Sequence, residues 1–512
     1  LCPSSVFAHA APAVAGWLAA DRCRSCGLAY RSPRCVTPST GGADRATVRN
    51  VTTSPKISTL AELQASGHEH KSVREELRDN LLAALAAGEN PWPGLHGFQD
   101  TVLPQLERAL IAGHDIVLLG ERGQGKTRLL RTLASLLDEW TPVIEGSELY
   151  EHPYEPITPE SKRRAEEEGS QLPVAWVHRD ARYVETLSTP DTSVAELIGD
   201  VAPMRVAEGR RLGDPETIHY GLVPRAHRGI VALNELPDLA ERIQVSLLNV
   251  MEERDIQIRG YVLRLPLDVL MVASANPEDY TNRGRIITPL KDRFGAEIRT
   301  HYPEEIDDEI AVIRQEAQLT AQVPDALLEI LARFTRALRR SPAINQASGV
   351  SARFAIAGAE TIAAAARHRA TVRDEEAVAR LIDVYSAVEV LGGKVEFESG
   401  EEGREEAILD HLLLTAIAQT ARAHFGGIDF APLVDTFDGA HTVTTGQHVT
   451  AKEFLDELPT ESESGVYDEI ANRLDAHDSP GLRAGAIELA LEGLYLAQEL
   501  SKETVDGQTV YG

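Results

Sequence analysis

One stretch constrains this chain more than any other: Gly120-Glu121-Arg122-Gly123-Gln124-Gly125-Lys126-Thr127. It fits the spacing Gly, four residues, Gly-Lys-Ser/Thr. It stands directly after the apolar run Ile116-Val117-Leu118-Leu119 and directly before a helical pattern over residues 127–137. Strand, glycine loop and helix is the order that a phosphate cradle needs. The glycines let backbone N–H groups converge on phosphate oxygens, and Lys126 brings a mobile positive charge to the β and γ phosphates. Thr127 offers a hydroxyl to Mg²⁺, and the helix N-terminus adds its partial positive charge. All eight residues are therefore expected to bind ATP with Mg²⁺. The competing reading is a glycine-rich turn that happens to end in Lys-Thr.

Around this loop the pattern predicts an α/β fold of the P-loop kind, a parallel sheet sandwiched by helices. The buried run Gly229 to Leu233, a helix over 238–252, a hairpin over 255–265 about Arg259-Gly260 and a buried run over 269–274 alternate strand with helix. After Pro303 strand signals stop, and helices are expected over 307–319, 324–340, 350–368 and 375–391. The expected divisions are a helical lead-in at 51–92, a nucleotide-binding α/β domain at 93–302, a helical lid at 303–395 and an acidic, mainly helical region at 396–512. Residues 140–188, rich in Pro and Glu and with little periodicity, read as an insertion at the rim.

The run Leu233-Asn234-Glu235 ends a buried strand, where an acidic pair would sit beside Mg²⁺. Glu235 is the candidate base for the water that attacks the γ-phosphate; alternatively it faces solvent at a strand end. Asn234 stands where an Asp is usual. Its amide oxygen is a candidate to accept from metal-bound water, so Thr127 and Asn234 are the candidate metal residues. In Ser274-Ala275-Asn276-Pro277 the Asn276 amide is placed to orient the same water, although Asn before Pro is also common in turns. Arg293, in Lys291-Asp292-Arg293-Phe294-Gly295, is a candidate finger for a neighbouring subunit's γ-phosphate, or else pairs with Asp292 or Glu297 in its own chain. Arg353, after Gly349-Val350-Ser351-Ala352, opens a helix of the lid and is either a second phosphate contact or an ordinary first-turn Arg paired with an acid.

A net charge of −28 over 512 residues disfavours generic affinity for nucleic acid or anionic lipid. No run of 18 apolar residues suggests a membrane helix. All four cysteines (Cys2, Cys23, Cys26, Cys35) precede residue 36, and residues 1–50 carry six Arg against two Asp. That break in composition predicts a non-native or disordered extension at 1–50, with Val51 as the start of the functional chain. A zinc knuckle on Cys23 and Cys26 lacks the paired spacing of structural zinc sites, and a secretory signal over 6–20 would have its Arg residues on the wrong side. The expected compartment is the cytoplasm.

In order, the phosphate loop, Gly221-Leu222-Val223-Pro224-Arg225-Ala226-His227-Arg228-Gly229 leading into Leu233-Asn234-Glu235, Ala275-Asn276-Pro277-Glu278, Leu290-Lys291-Asp292-Arg293-Phe294-Gly295 and Val350-Ser351-Ala352-Arg353 resemble the AAA+ ATPases of the magnesium-chelatase I-subunit and MoxR type. The likeness spans roughly residues 93–391. It implies a hexameric ring with ATP and Mg²⁺ at subunit interfaces, sensor roles for Asn276 and Arg353, and family insertions at 200–220 and 253–266. It also implies a partner carrying a von Willebrand factor A-type domain. The chain departs from the pattern at Asn234, at residues 140–188 and in the residues after Leu391.

These readings predict an ATP-hydrolysing ring motor that remodels a protein partner or assists metal insertion. One alternative is a nucleotide-dependent assembly switch with little turnover, for which the uncharged Asn234 speaks. Another is a sigma-factor-interacting transcriptional ATPase, which needs a Gly-Ala-Phe-Thr-Gly-Ala contact loop and a DNA-binding helix pair; neither is visible in the sequence.

Overall fold

A computed structural model of the protein describes residues 53–201, 217–253, 256–258, 261–263, 265–276, 284–345, 348–438, 441–459, 465–505 and 508–512. The extension expected at 1–50, the centre of the 200–220 loop, the turn at Arg259-Gly260 and the residues Pro277 and Glu278 lie outside them.

Five parallel strands form the central sheet: β1 (Ile116–Leu119), β2 (Tyr183–Leu187), β3 (Gly229–Asn234), β4 (Val269–Ala275) and β5 (Ala296–Arg299), side by side in the order β5-β1-β4-β3-β2. The inner strands β1, β3 and β4 are buried along their whole length, as continuous apolar runs in a sheet covered on both faces must be. Side chains alternate between those faces. Val117, Leu119, Val231, Leu233, Met271 and Ala273 pack with Ile243 and Leu247 of the helix Glu241–Glu253. Ile116, Leu118, Ile230, Ala232, Leu270 and Val272 pack with Leu129 and Leu130 of the loop helix Lys126–Thr132 and with Val102 and Leu106 of the helix Val102–Ile111. The register Leu119↔Ala275 and Ala273↔Leu233 brings the carboxyl ends of β1, β4 and β3 level, so the residues that follow them meet at one edge.

The segment read as a rim insertion, 140–188, is corrected at both ends. Trp140–Ile144 pairs antiparallel with Val174–His178, and Tyr183–Leu187 is a member of the central sheet. That last strand escaped notice because it is an edge. Tyr-Val-Glu-Thr-Leu is half exposed, and no apolar run marks it. The hairpin Ile256–Ile258 with Tyr261–Leu263 forms as expected. The lead-in folds onto the α/β core: the helix Val73–Ala86 begins with a Ser72/Glu75 capping box and buries Val73, Leu77 and Leu81 against Leu136 and Leu137.

Beyond Pro303 the helices Ile306–Glu316, Asp325–Arg340, Ala352–Arg373 and Leu381–Leu391 stand close to the expected bounds. The division expected at 395 does not part the core. Buried residues from Ile310 to Tyr511 form one cluster, because the helices Glu405–Phe425 and Pro480–Leu496 pack directly on the lid helices. Arg380, fully buried, reaches across to Glu488 of the latter helix, with Thr445 joining the same carboxylate. The sequence also hid a three-stranded antiparallel sheet, Val443–Gly446 beside Gln508–Tyr511 beside Lys502–Val505. No helix among the described residues is long and apolar enough to cross a membrane.

Candidate active site at the sheet edge

The glycine loop leaves β1 at Gly120 and turns into the helix Lys126–Thr132. Gly123 (φ +74°) and Gly125 (φ +76°) lie in the left-handed region, which side chains with a Cβ resist. Gly123 also lies so close to Ser351 that a Cβ would collide with it. On the other side, Gln124 is buried and accepts from Thr300 Oγ1 at 2.8 Å, anchoring the loop to the end of β5. Tyr302 donates its hydroxyl to the Arg122 carbonyl at 2.7 Å.

Lys126 is buried at the centre. Its Nζ donates to the carbonyls of Gly120 and Glu121, the latter at 2.8 Å, and to Asn276 Oδ1 at 2.7 Å. Asn276 follows β4 and is buried; its Nδ2 donates to Glu235 Oε2 at 2.7 Å. Glu235, just past β3, adopts φ +55°. This conformation is costly outside glycine and turns the carboxylate back over the sheet edge toward Asn276 instead of along the strand. Lys126, Asn276 and Glu235 are thus joined by hydrogen bonds across three strand ends.

Asn234, the last residue of β3, faces the loop helix. Its Oδ1 accepts from Ser274 Oγ at 3.1 Å and lies 3.5 Å from Thr127 Oγ1, the outer limit of a hydrogen bond. Its Nδ2 donates to Glu185 Oε1 at 2.8 Å. Glu185 comes from β2 and accepts a two-pronged pair from Arg131 of the loop helix, at 2.7 and 2.9 Å. The Arg131 hydrogen bonds, against the opposing effect of burial, hold its carboxyl below the usual carboxylate range. Sequence reasoning missed Glu185 because its strand was not seen; a Tyr-x-Glu alternation after a Pro-rich stretch is its only signal.

The lid closes on the loop from outside. Ser351, at the N-cap position of the helix Ala352–Arg373, lies beside Gly123, and Arg353 is exposed on the second residue of that helix. Arg339 ties the two halves. It pairs with Glu309 at 2.7 and 2.9 Å, donates to the Val350 carbonyl at 2.7 Å and stacks over the Tyr302 ring. Arg293 is not brought to this cluster. At the end of the helix Thr288–Arg293 it pairs with Glu252 at 2.5 Å, both side chains well exposed, while Lys291 takes Glu297. Neither Asp292 nor Glu297 is its partner.

The loop fits a polyphosphate, since Gly120 and Gly123 lie where a Cβ would intrude, Gly123 and Gly125 hold left-handed backbone, and a buried Lys closes it. The oxygens of Thr127 and Asn234 and the carboxylate of Glu235 are hard donors of the kind a hydrated divalent cation takes.

The Sigma-54 interaction domain family matches residues 212–293. The magnesium-chelatase subunit ChlI of Anabaena variabilis is 24% identical over 217 residues, covering 41% of this chain and 60% of that protein. The magnesium-chelatase 38 kDa subunit of Rhodobacter capsulatus is 26% identical over 243 residues, covering 47% and 63%. The chain thus spans less than two thirds of the length of these relatives. Among solved structures, NtrX from Brucella abortus is 15% identical, covering 70% of this chain and 72% of that one at a TM-score of 0.39.

Proposed function

We propose that this chain, an AAA+ ATPase of the magnesium-chelatase I type, binds ATP with Mg²⁺ in the loop of residues 120–127 and works as a ring motor. The motor remodels a protein partner or assists metal insertion. The observation that carries this reading is the hydrogen-bonded run from Lys126 through Asn276 to Glu235. It joins a phosphate-binding cation, an amide able to hold water and a carboxylate able to take its proton at Oε2. Mg²⁺, when bound, neutralises charge on the β and γ phosphate oxygens, and Thr127 and Asn234 are the residues that would hold it. Lys126 then turns from its loop carbonyls to the phosphates, while Asn276 orients the attacking water against Glu235.

Arg353 reaches the phosphates from the lid. Arg293 acts on the ATP of a neighbouring subunit in a hexameric ring: its pair with Glu252 is exposed, so exchanging it for a phosphate costs on the order of 1 kcal/mol or less. A von Willebrand factor A-type protein is the proposed partner. Phosphate release by the purified protein beside Glu235→Gln tests the reading. A fall of about 100-fold or more with ATP binding kept supports it, and activity that the substitution leaves unchanged refutes it.

The uncharged Asn234 favours a second reading, an assembly switch that forms its ring on ATP and barely turns over. Ring formation on ATP without phosphate release is its signature. The match to the Sigma-54 interaction domain family covers the approach to β3 through Arg293, and no Gly-Ala-Phe-Thr-Gly-Ala contact loop stands in the sequence.

A further inference from the structure

We infer that Glu185, on β2, is a positioning residue that fixes the Asn234 amide with its oxygen toward Thr127 and supplies, from behind the amide, the negative charge that Asn234 lacks. The inference rests on the reading of this edge as an ATP·Mg²⁺ site. An Asn side chain has two near-isosteric faces, an oxygen and an NH₂, and only the oxygen serves a cation. At Asn234 the choice is made by its neighbours. Glu185, gripped by the Arg131 guanidinium, is an acceptor only, so the NH₂ must face it. The Ser274 hydroxyl donates to the opposite side, where Oδ1 lies with Thr127. The carboxylate therefore polarises the amide along the line from β2 to the loop helix, and its charge is felt through the amide in a half-buried setting. β2 pairs in parallel with β3, Leu187 opposite Asn234, which puts Glu185 two residues back and on the same face of the sheet as Leu187.

This arrangement has a reciprocal signature. In Glu185→Gln the single amide oxygen is claimed by Arg131, which leaves an NH₂ against the NH₂ of Asn234 and turns the Asn the wrong way round. In Asn234→Asp a carboxylate is placed against the Glu185 carboxylate, and the two repel. In the double variant the polarity of the pair is exchanged with no change in total charge: the amide introduced on β2 would donate to the carboxylate introduced on β3 and still offer its oxygen to Arg131.

The test titrates a fluorescent ATP analogue against wild type, both single variants and the double variant, in EDTA and across a Mg²⁺ series; binding of Mn²⁺ with nucleotide, read by electron paramagnetic resonance, gives a second readout free of turnover. Affinity in EDTA is expected to stay within about 2-fold of wild type in Glu185→Gln. The strengthening by Mg²⁺ and the Mn²⁺ affinity are expected to fall about 10-fold in Glu185→Gln and to return to within about 2-fold of wild type in the double variant. Arg131→Gln, which loosens Glu185 without touching Asn234, is expected to give a smaller loss of the same kind. Unchanged metal dependence in Glu185→Gln, or a double variant no better than Glu185→Gln, overturns the inference while leaving the nucleotide site standing. Wild type that binds no nucleotide overturns both.

Discussion

Lys126 aims its ammonium at the loop carbonyls and Asn276. Lys126→Ala is therefore expected to lower ATP-analogue affinity at least about 100-fold while leaving the thermal unfolding midpoint within a few degrees of wild type, as fluorescence titration and circular dichroism would show. A different consequence attaches to two imidazoles. His152 and His227 are buried beside the Arg228 guanidinium. Burial first and that charge second push their pKa values down to about 2 and about 3 from 6.5. The folded state thus keeps both neutral, and the unfolded chain takes up protons below about pH 6.5. Their contribution is complete above that pH and is lost as pH falls toward the folded values, at up to about 1.4 kcal/mol per pH unit for each. Chemical unfolding between pH 7.5 and 5 should show this slope. His152→Gln should reduce it by about half, since no proton is then taken up at a site where Nδ1 accepts from the Tyr154 amide and Nε2 meets His68.

At the scale of elements, the inner strands were legible because a strand covered on both faces buries apolar side chains on each, and β1 and the strands β3 and β4 short of their carboxyl ends read as apolar runs, with Asn234 and Ser274 at those ends. The edge strand β2 was not legible, since one side of it is open and its residues alternate; with it went Glu185 and the partner of Asn234. The small sheet at 443–511 was missed for another reason: its Thr-Thr-Gly and Gln-Thr-Val-Tyr strands gain their pairing from residues some 60 positions apart. Loop residues were read in sequence order, but their convergence depends on register, which the sequence does not display. Arg182, just before β2, illustrates what holds such an edge in place. It is buried and pairs through both nitrogens with Glu76 of the helix Val73–Ala86, at 2.7 and 2.6 Å. Arg182→Met strands a buried carboxylate and is expected to cost about 3–5 kcal/mol in urea unfolding, far more than loss of an exposed pair such as Arg293 with Glu252.

For the whole molecule, Arg293 separates a ring from a solitary subunit. If it serves a neighbour's ATP, Arg293→Ala binds nucleotide nearly normally and loses about 100-fold or more in hydrolysis. Mixing it with Glu235→Gln then restores part of the activity, because some interfaces receive every working part. Two inactive proteins that stay inactive together would place Arg293 within its own subunit's structure. The helical half carries a feature of another kind. Glu492 is fully buried, and of the side chains that hold its carboxylate, Tyr385 comes from the lid while Lys502 and Tyr511 come from the hairpin that completes the small sheet. Without residues 502–511 that buried carboxylate lacks the ammonium that balances it. A chain cut before Lys502 is therefore expected to unfold at lower urea than the whole chain, although it keeps every residue of the lid and of the nucleotide loop.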